Sequence, residues 1–234
     1  MFLAVWILYA ADRLLDARSA DPATLEERHL FHDRHRRIFV AVIAVAAIVL
    51  AALTPLLLPS AIHLYALLGA LLAGWFLTIH TRLAHERRLP KELAVGLFFA
   101  AAIFIPSVAR RPDLRLSLLV PAVLFAAICA LNCMYLYAWE HPATRTNANW
   151  TTRFATQHLR TISVIILAAT VLSIIWHLAL APSRTNLLLS TACALAAVLL
   201  LLLDHIRNRL SPLHLRAAAD LALLTPLLML PFTR

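Results

Sequence analysis

Two aspartates near the start of the chain have the residue type and spacing to do chemistry. Asp12 and Asp16 lie in the stretch LYAADRLLDA, four residues apart. In a helix this spacing puts both carboxylates on one face. Two carboxylates that lie close to a third carboxylate would bind Mg²⁺, which takes its remaining ligands from water and phosphate oxygens. The pair therefore predicts a metal and phosphate site; the alternative is a helix end that reaches water, with Arg13 as an exposed partner.

A repeat within the sequence supplies the third carboxylate. The segment LYAADR, which contains Asp12, matches LYAWEH, which contains Glu140. The segment KELAVGL, which contains Glu92, resembles ADLALL, which contains Asp220. Glu92 lies 80 positions after Asp12, and Asp220 lies 80 positions after Glu140. Such self-similarity indicates a duplicated structural unit. We predict that Asp12, Asp16 and Glu140 are ligands of one Mg²⁺ ion.

Basic residues close to the aspartates offer contacts for an anionic ligand. The loop ERHLFHDRHRR, rich in arginine and histidine, follows Asp16. The planar guanidinium group donates paired hydrogen bonds to phosphate oxygens. The predicted diphosphate-binding residues are Arg13, Arg28, His29 and Arg36. The alternative is that the loop is basic only because loops on the cytoplasmic side of membrane proteins are basic.

The elements that must position these residues are membrane helices. The chain is 62% hydrophobic and 14% charged, which is far from the composition of soluble domains. Its apolar runs are continuous, Leu- and Ala-rich, and near the roughly 20 residues that a spanning helix needs. We predict an all-α polytopic membrane protein with about eight transmembrane helices. The predicted spans are 1–11, 38–58, 61–80, 92–109, 116–138, 161–181, 187–203 and 217–232.

The repeat divides these helices into two parallel pseudo-repeats of four within one membrane domain. The first is predicted over residues 1–115 and the second over 116–234. Each half crosses the membrane an even number of times, so the halves are related by an axis near the membrane normal. This arrangement brings equivalent helix ends together around a central cavity.

The distribution of basic residues predicts the orientation. Of the 21 Lys and Arg residues, 16 follow the first, third, fifth and seventh apolar runs. The positive-inside rule places these loops in the cytoplasm and both termini outside, with a bacterial inner membrane as the expected location. The net charge of +9 then reflects topology and attraction to anionic lipid or a phosphorylated substrate. Nucleic-acid binding is not expected.

The DxxxD motif, the basic loop after it and the second acidic position at Glu140 resemble the UbiA-type superfamily of intramembrane prenyltransferases. In that family two Asp-rich motifs hold Mg²⁺ and the diphosphate of an isoprenoid donor, whose tail lies in a hydrophobic tunnel. The family has nine helices, and the eight predicted here correspond to its second through ninth. The first predicted span, 1–11, is shorter than a full crossing needs. This indicates either that the sequence starts downstream of the true start or that the first helix is short. The family's Asn before the first Asp is Leu8 here, and no second carboxylate lies near Glu140.

The resemblance implies an Mg²⁺-dependent transferase that moves a prenyl group from an isoprenoid diphosphate to a lipophilic or aromatic acceptor. Cationic clamps stabilise the leaving diphosphate in such reactions. Lys91, the only lysine, is the candidate clamp, and Glu92 beside it the second catalytic candidate. The alternative is an interfacial lysine followed by an acid in the first turn of a helix.

Four further residues are predicted to line the cavity for the isoprenoid: Tyr9, Asn132, Tyr135 and Trp139. Alternatively, Asn132 bonds a neighbouring helix and the aromatic residues pack or form interfacial belts. Two other functions remain open. One is a catalytically degenerate relative that binds isoprenoid, quinone or lipid, or serves as a subunit of a membrane complex. The other, a transporter, fits the symmetry but lacks Gly-interrupted helices at matched midplane positions.

Overall fold

The structure, a computed structural model, describes residues 3–4, 6–7, 10–11, 14, 34–80, 91–140, 150–180 and 182–232. Within these ranges the chain consists of helices and short connections, and no residue there lies in a strand. The longer described segments form nine α-helices. They are α1 (Arg36–Leu53), α2 (Pro59–His80), α3 (Lys91–Arg110), α4 (Leu119–Glu140), α5 (Trp150–Gln157), α6 (Leu159–Ala179), α7 (Arg184–Ile206), α8 (Pro212–Ala222) and α9 (Thr225–Leu228).

Five helical segments are long and apolar enough to cross a membrane. They are Arg36–Leu56, Glu92–Arg110, Leu119–Glu140, Leu159–Ala179 and Arg184–Arg209, and Pro59–Trp75 is a shorter apolar stretch. Their outer faces expose large aliphatic side chains, as expected of a surface that meets hydrocarbon. A helix also satisfies its backbone hydrogen bonds internally, as a lipid environment requires. The prediction of an all-helical integral membrane protein is confirmed at this level.

Six of the eight predicted spans, those between residues 38 and 203, coincide with α1 to α4, α6 and α7 to within five residues at either end. The span predicted over 217–232 is not one continuous helix: it falls on part of α8, on the four residues of α9 and on a 3₁₀ turn, Leu230–Phe232. Pro226 and Pro231 lie in this segment and cannot donate backbone hydrogen bonds. The count of eight helices, and the repeat that relates 1–115 to 116–234, stay predictions.

The chain divides into two compact units, residues 1–63 and 64–234. The first contains α1, whose one fully buried side chain is that of Ala46. The second contains most of α2 and all of α3 to α9. Except for Arg36, the described charged residues considered below lie in this second unit.

Helix α4 lies at the centre of the second unit and contacts α3, α6, α7 and α8. Its inner face buries Ile128, Leu131 and Tyr135, which pack with Ala197 and Leu200 of α7 in one apolar core. Helices α4 and α7 run in one direction, and α3, α6 and α8 run in the other. We call the end where α4 and α7 finish the Asp204 end, and the end where α3 and α6 finish the Arg110 end.

Helices α3 and α4 approach most closely at Gly96. A Cβ atom on Gly96 would lie 2.6 Å from the carbonyl oxygen of Ala126 and 2.7 Å from the backbone nitrogen of Ala130. These distances are far inside van der Waals contact. Small residues on both helices therefore allow the two backbones to meet, the usual packing device in membranes.

Pro106 interrupts the hydrogen-bond ladder of α3, because proline has no N–H to donate to the carbonyl of Ala102 four residues earlier. The hydroxyl of Tyr65, on α2, donates a hydrogen bond of 3.0 Å to this carbonyl. A side chain from a neighbouring helix thus satisfies the backbone group that proline leaves without a partner. Such compensation is what allows proline within a membrane helix.

The same arrangement occurs near the start of α4. Pro121 cannot donate to the carbonyl of Ser117, and Nδ2 of Asn186, in the first turn of α7, donates to that carbonyl at 3.1 Å. In each case a side chain of one helix bonds the backbone of another segment: Tyr65 of α2 bonds α3, and Asn186 of α7 bonds the turn that precedes α4. These bonds fix the register of α2 against α3 and of α7 against α4.

Candidate functional site

A buried carboxylate, that of Asp204, organises the Asp204 end. Its side chain is 8% exposed and lies in the last turn of α7. Trp139 Nε1 donates to Oδ1 at 3.0 Å, and Arg207 Nη1 lies 3.2 Å from the same oxygen. Arg160 Nε, at the start of α6, lies 3.4 Å from Oδ2. Charge-assisted hydrogen bonds of this kind offset the desolvation of a buried carboxylate.

The two arginines remain accessible although Asp204 does not. The side chain of Arg160 is 77% exposed and that of Arg207 is 44% exposed. A guanidinium has five N–H donors, and each of these arginines uses one of them on Asp204. Asp204 therefore fixes two guanidinium groups from different helical segments. Most N–H donors of both groups are not used by this carboxylate.

A second ion pair joins α4 to α8 at the same end. Arg216 Nη1 lies 3.4 Å from Oε1 of Glu140, the last residue of α4, and both side chains are partly buried. The predicted metal ligand Glu140 is thus engaged by an arginine. A carboxylate already paired in this way is a weaker ligand for a cation, because its charge is partly neutralised.

A deeper polar layer lies eight residues, or roughly 12 Å, before the end of α4. Asn132 is 3% exposed, and its Nδ2 donates to Oδ1 of Asp220 on α8 at 3.3 Å. The amide oxygen of Asn132 is buried and accepts no hydrogen bond from any residue that the structure describes. An acceptor in this state costs free energy unless a ligand or water supplies a donor.

Glu92 belongs to the same layer. It lies in the first turn of α3, one helical turn before Gly96, where α3 meets the backbone of Ala130 on α4. Glu92, at the start of α3, and Asp220, which accepts a hydrogen bond from Asn132, are thus both found beside the middle of α4, whereas their equivalence in a repeat stays a prediction.

Tyr135 is a core residue at this end, and Trp139 is partly buried against the same core. Their ring centroids are 5.2 Å apart, and the Tyr135 hydroxyl lies 2.8 Å from Oγ of Ser163. Because Ser163 donates its own proton to the carbonyl of Leu159, Tyr135 is the donor of this bond. Neither ring lines the cavity found at the Arg110 end. Their contacts are those of packed side chains.

Exposed basic residues surround the Asp204 end. Beside Arg160 and Arg207, the exposed members are Arg153, His158, His205, Arg209 and His214. They come from α5, from the start of α6, from the end of α7 and from the start of α8. The described surface at this end is accordingly cationic, while the carboxylates lie deeper or are paired.

Several predicted site residues lie outside the described residues: Tyr9, Asp12, Arg13, Asp16, Arg28 and His29. Arg36 begins α1 in the first unit and is exposed. Lys91 begins α3, and its side chain is outside what the structure describes. Of the predicted residues, the structure brings together Glu92, Asn132, Tyr135, Trp139 and Glu140, all at one end of the second unit.

The described residues alone do not fit a magnesium ion. Within them, no three His, Cys, Asp or Glu side chains form a group that could hold a metal, and Glu140 contacts Arg216. The Mg²⁺ prediction therefore rests on Asp12 and Asp16.

Asp204, Arg160 and Arg207 were not among the predicted site residues. A signal for Asp204 is present in the sequence, because the acid directly follows the apolar run LLLLL. Ionisable residues at the end of or within a membrane span are uncommon and tend to be functional. No such signal connects Arg160 or Trp139 to Asp204.

Comparison with protein-family models, with curated proteins and with solved structures found no match.

Proposed function

We propose that the protein is a UbiA-like intramembrane transferase that binds an isoprenoid diphosphate at the Asp204 end and transfers its prenyl group to a lipophilic or aromatic acceptor. The positive-inside rule supports a cytoplasmic position for this end in a bacterial inner membrane. The sequence support is the DxxxD motif of Asp12 and Asp16 and its likeness to the UbiA family.

The observation that carries the proposal is the pair of guanidinium groups anchored on Asp204. Arg160 and Arg207 come from different segments, contact one buried carboxylate and remain largely exposed. Anchoring reduces the conformational entropy that each arginine loses on binding a ligand. Two preorganised arginines at the boundary of an apolar bundle suit a ligand with a phosphate head and a hydrocarbon tail.

The residues have distinct roles in the proposed reaction. Arg160 and Arg207 bind the diphosphate and stabilise the negative charge that grows on it as the bond to the prenyl carbon breaks. The amide oxygen of Asn132, which accepts no hydrogen bond from a described residue, accepts one from an O–H or N–H group of the acceptor. The apolar core around α4 excludes water, which would otherwise capture the allylic cation.

Magnesium, when bound, would neutralise part of the diphosphate charge. The UbiA resemblance assigns it to Asp12 and Asp16, with Glu140 as the third ligand. The pairing of Glu140 with Arg216 does not favour this third ligand. None of the roles above depends on the ion.

Calorimetric titration tests the proposal. A non-hydrolysable prenyl diphosphate analogue is titrated into the detergent-purified full-length protein, with and without Mg²⁺. The double variant Arg160→Ala/Arg207→Ala is expected to raise Kd at least about 10-fold, because each hydrogen bond to a charged group contributes roughly 1.5–3 kcal/mol. Arg115→Ala, which removes an exposed arginine at the Arg110 end, is the matched control and should leave Kd unchanged.

The same titration examines the metal. Asp12→Asn and Asp16→Asn are expected to remove the dependence of binding on Mg²⁺. Unchanged affinity in the folded arginine double variant would reject the diphosphate site at this end. Mg²⁺-dependent binding that survives both aspartate variants would reject only the assigned metal ligands.

A second candidate is a catalytically degenerate relative that binds an isoprenoid, quinone or lipid without turnover, or serves as a membrane-complex subunit. The ion pair of Glu140 with Arg216 favours it, because the carboxylate is already neutralised. Release of inorganic diphosphate from prenyl diphosphates separates the two functions. Binding without release, in the presence of membrane lipid extract as the acceptor source, would favour the second.

A further inference from the structure

A cavity of about 380 Å³ lies at the Arg110 end of the second unit, between α3, α4, α7 and α9. Its deeper walls are apolar. Pro121, Phe125 and Cys193 are buried there, and Phe104 and Leu189 complete the sides. The volume lies within the roughly 300–1,000 Å³ of small-molecule sites. The deeper side chains of these walls are buried, whereas the side chains on the outer helix faces, which contact lipid, are exposed.

The mouth of the cavity is polar and cationic. Arg110, Arg111, Ser107 and Thr185 line it together with the apolar walls. The side chain of Arg110 is exposed and forms no ion pair or hydrogen bond with any described residue. Thr185 lies in the first turn of α7, a helix of 23 residues whose N-terminal dipole favours an anion.

Arg111 differs from Arg110 because its charge is compensated. Its Nε and Nη2 donate to the two carboxylate oxygens of Asp113 at 3.1 Å and 2.8 Å. The hydrogen bond from Arg111 lowers the pKa of Asp113, so this carboxyl group is ionised at neutral pH. Among the described residues at the mouth, Arg110 therefore has a guanidinium group that no described carboxylate pairs.

We propose that this cavity binds the single hydrocarbon chain of an anionic amphiphile, with the anionic head on Arg110 and the chain against Phe125 and Cys193. The apolar walls recognise the chain, and the uncompensated guanidinium distinguishes an anionic head from a neutral one. A fatty-acid carboxylate and a lysophospholipid phosphate share this chemistry. The site is separate from the diphosphate site at the Asp204 end, and neither proposal depends on the other.

Photo-crosslinking tests the proposal with three probes of equal chain length: diazirine-bearing palmitic acid, the matching diazirine hexadecanol and a diazirine lysophosphatidic acid. Each is irradiated with the detergent-purified full-length protein, and labelled peptides are mapped by mass spectrometry. The acid is expected to label the segments around Phe125 and Cys193 about two- to five-fold more than the alcohol, because the ion pair with the exposed guanidinium of Arg110 is partly screened by solvent. Comparison of the acid with the lysophosphatidic acid identifies which anionic head is preferred.

Two charge variants predict opposite results. Arg110→Ala is expected to reduce labelling by the acid to the level of the alcohol, and Arg115→Ala, at the same end but outside the cavity, should have no effect. Asp113→Asn is expected to increase labelling, because it releases the guanidinium of Arg111. All three positions are exposed, so the variants are expected to fold.

A space-filling variant examines the chain-binding part. Leu189→Trp places an indole in the cavity and is expected to abolish labelling of the Phe125 and Cys193 segments by all three probes. The proposal is wrong if the acid labels the outer helix faces and the cavity segments alike. It is equally wrong if Arg110→Ala leaves the ratio of acid to alcohol labelling unchanged.

Discussion

The hydroxyl of Tyr65 donates a 3.0 Å hydrogen bond to the carbonyl of Ala102, the group that Pro106 leaves without its helical donor. Tyr65→Phe removes this donor and leaves the carbonyl unbonded among apolar helices. We expect the free energy of unfolding to fall by about 1–2 kcal/mol. Titration of the full-length protein with SDS, followed by far-UV circular dichroism, measures this change.

A double-mutant cycle with Pro106→Ala tests the cause. Alanine at position 106 restores the backbone N–H, which can bond the Ala102 carbonyl within α3. In that background Tyr65→Phe is expected to have a much smaller effect than in the wild type, because the carbonyl keeps a donor. Equal losses in both backgrounds would show that Tyr65 stabilises the protein by packing instead.

The close approach of α3 to α4 predicts a large effect at Gly96. A methyl group there meets the backbone of Ala126 and Ala130, which cannot move as a side chain can. Gly96→Ala is therefore expected to lower the free energy of unfolding by about 1–3 kcal/mol, the range for overpacked cores. Thermal denaturation in detergent, monitored by loss of the monodisperse peak in size-exclusion chromatography, reports it.

Gly69 and Gly74 provide matched controls for this substitution. A Cβ on either of them meets no atom within 4 Å. Because alanine is the better helix former by about 1 kcal/mol, Gly69→Ala and Gly74→Ala should leave stability unchanged or increase it. A similar loss of stability at all three glycines would mean that helix flexibility, and not the contact at Gly96, is responsible.

The membrane helices could be predicted because their cause is local. A continuous apolar run in hydrocarbon has to satisfy its own backbone, and only a helix does so within one segment. The runs around Ile128 and Leu200 were therefore identified by hydropathy. The break in the span predicted over 217–232 was not identified. Hydropathy averaged over a window of residues does not detect Pro226 or the turn at Leu223 and Leu224.

The polar contacts at the Asp204 end could be predicted only in part. The predicted repeat pairs Glu92 with Asp220, and the structure places Glu92 one turn before Gly96 on α3 and Asp220 beside Asn132. Asp204 is separated from Trp139 by 65 residues and from Arg160 by 44. Lateral packing of helices determines these pairs, and hydropathy contains no information on which faces meet.

Asp204 is expected to stabilise the bundle mainly through Trp139. Asp204→Ala removes the acceptor of the buried indole N–H and should lower the free energy of unfolding by about 1–3 kcal/mol. The contributions of Arg160 and Arg207 are discounted because both are well exposed and screened by solvent. SDS titration measures the loss.

Trp139→Phe isolates the hydrogen bond to Asp204, since it keeps an aromatic ring but removes the N–H. It is expected to show a smaller loss than Asp204→Ala, about 0.5–1.5 kcal/mol. Asp113→Ala removes an exposed carboxylate and should not change the unfolding midpoint. A loss for Asp204→Ala no larger than that for Asp113→Ala would contradict the anchoring role of Asp204.

Asn132 and Asn186 form a matched pair that separates ligand binding from helix packing. Both are 3% exposed, and each donates one side-chain hydrogen bond to a neighbouring segment. They differ in position: Asn132 lies beside Asp220 with an unpartnered amide oxygen, whereas Asn186 bonds Ser117 at the Arg110 end. If Asn132 only joins helices, its substitution should change stability and the KM for the acceptor in the same way as substitution of Asn186.

We expect Asn132→Ala and Asn186→Ala to lower the free energy of unfolding by similar amounts, about 0.6–1.7 kcal/mol, as for other polar contacts between membrane helices. In the proposed reaction only Asn132→Ala should also raise the apparent KM for the acceptor, because it removes the oxygen that accepts a hydrogen bond from the acceptor's O–H or N–H group. Steady-state transfer assays at saturating prenyl diphosphate, with acceptor concentration varied, make the comparison. Equal KM values in the two variants would assign Asn132 to helix packing alone, since its unpartnered oxygen would then contribute nothing to the acceptor.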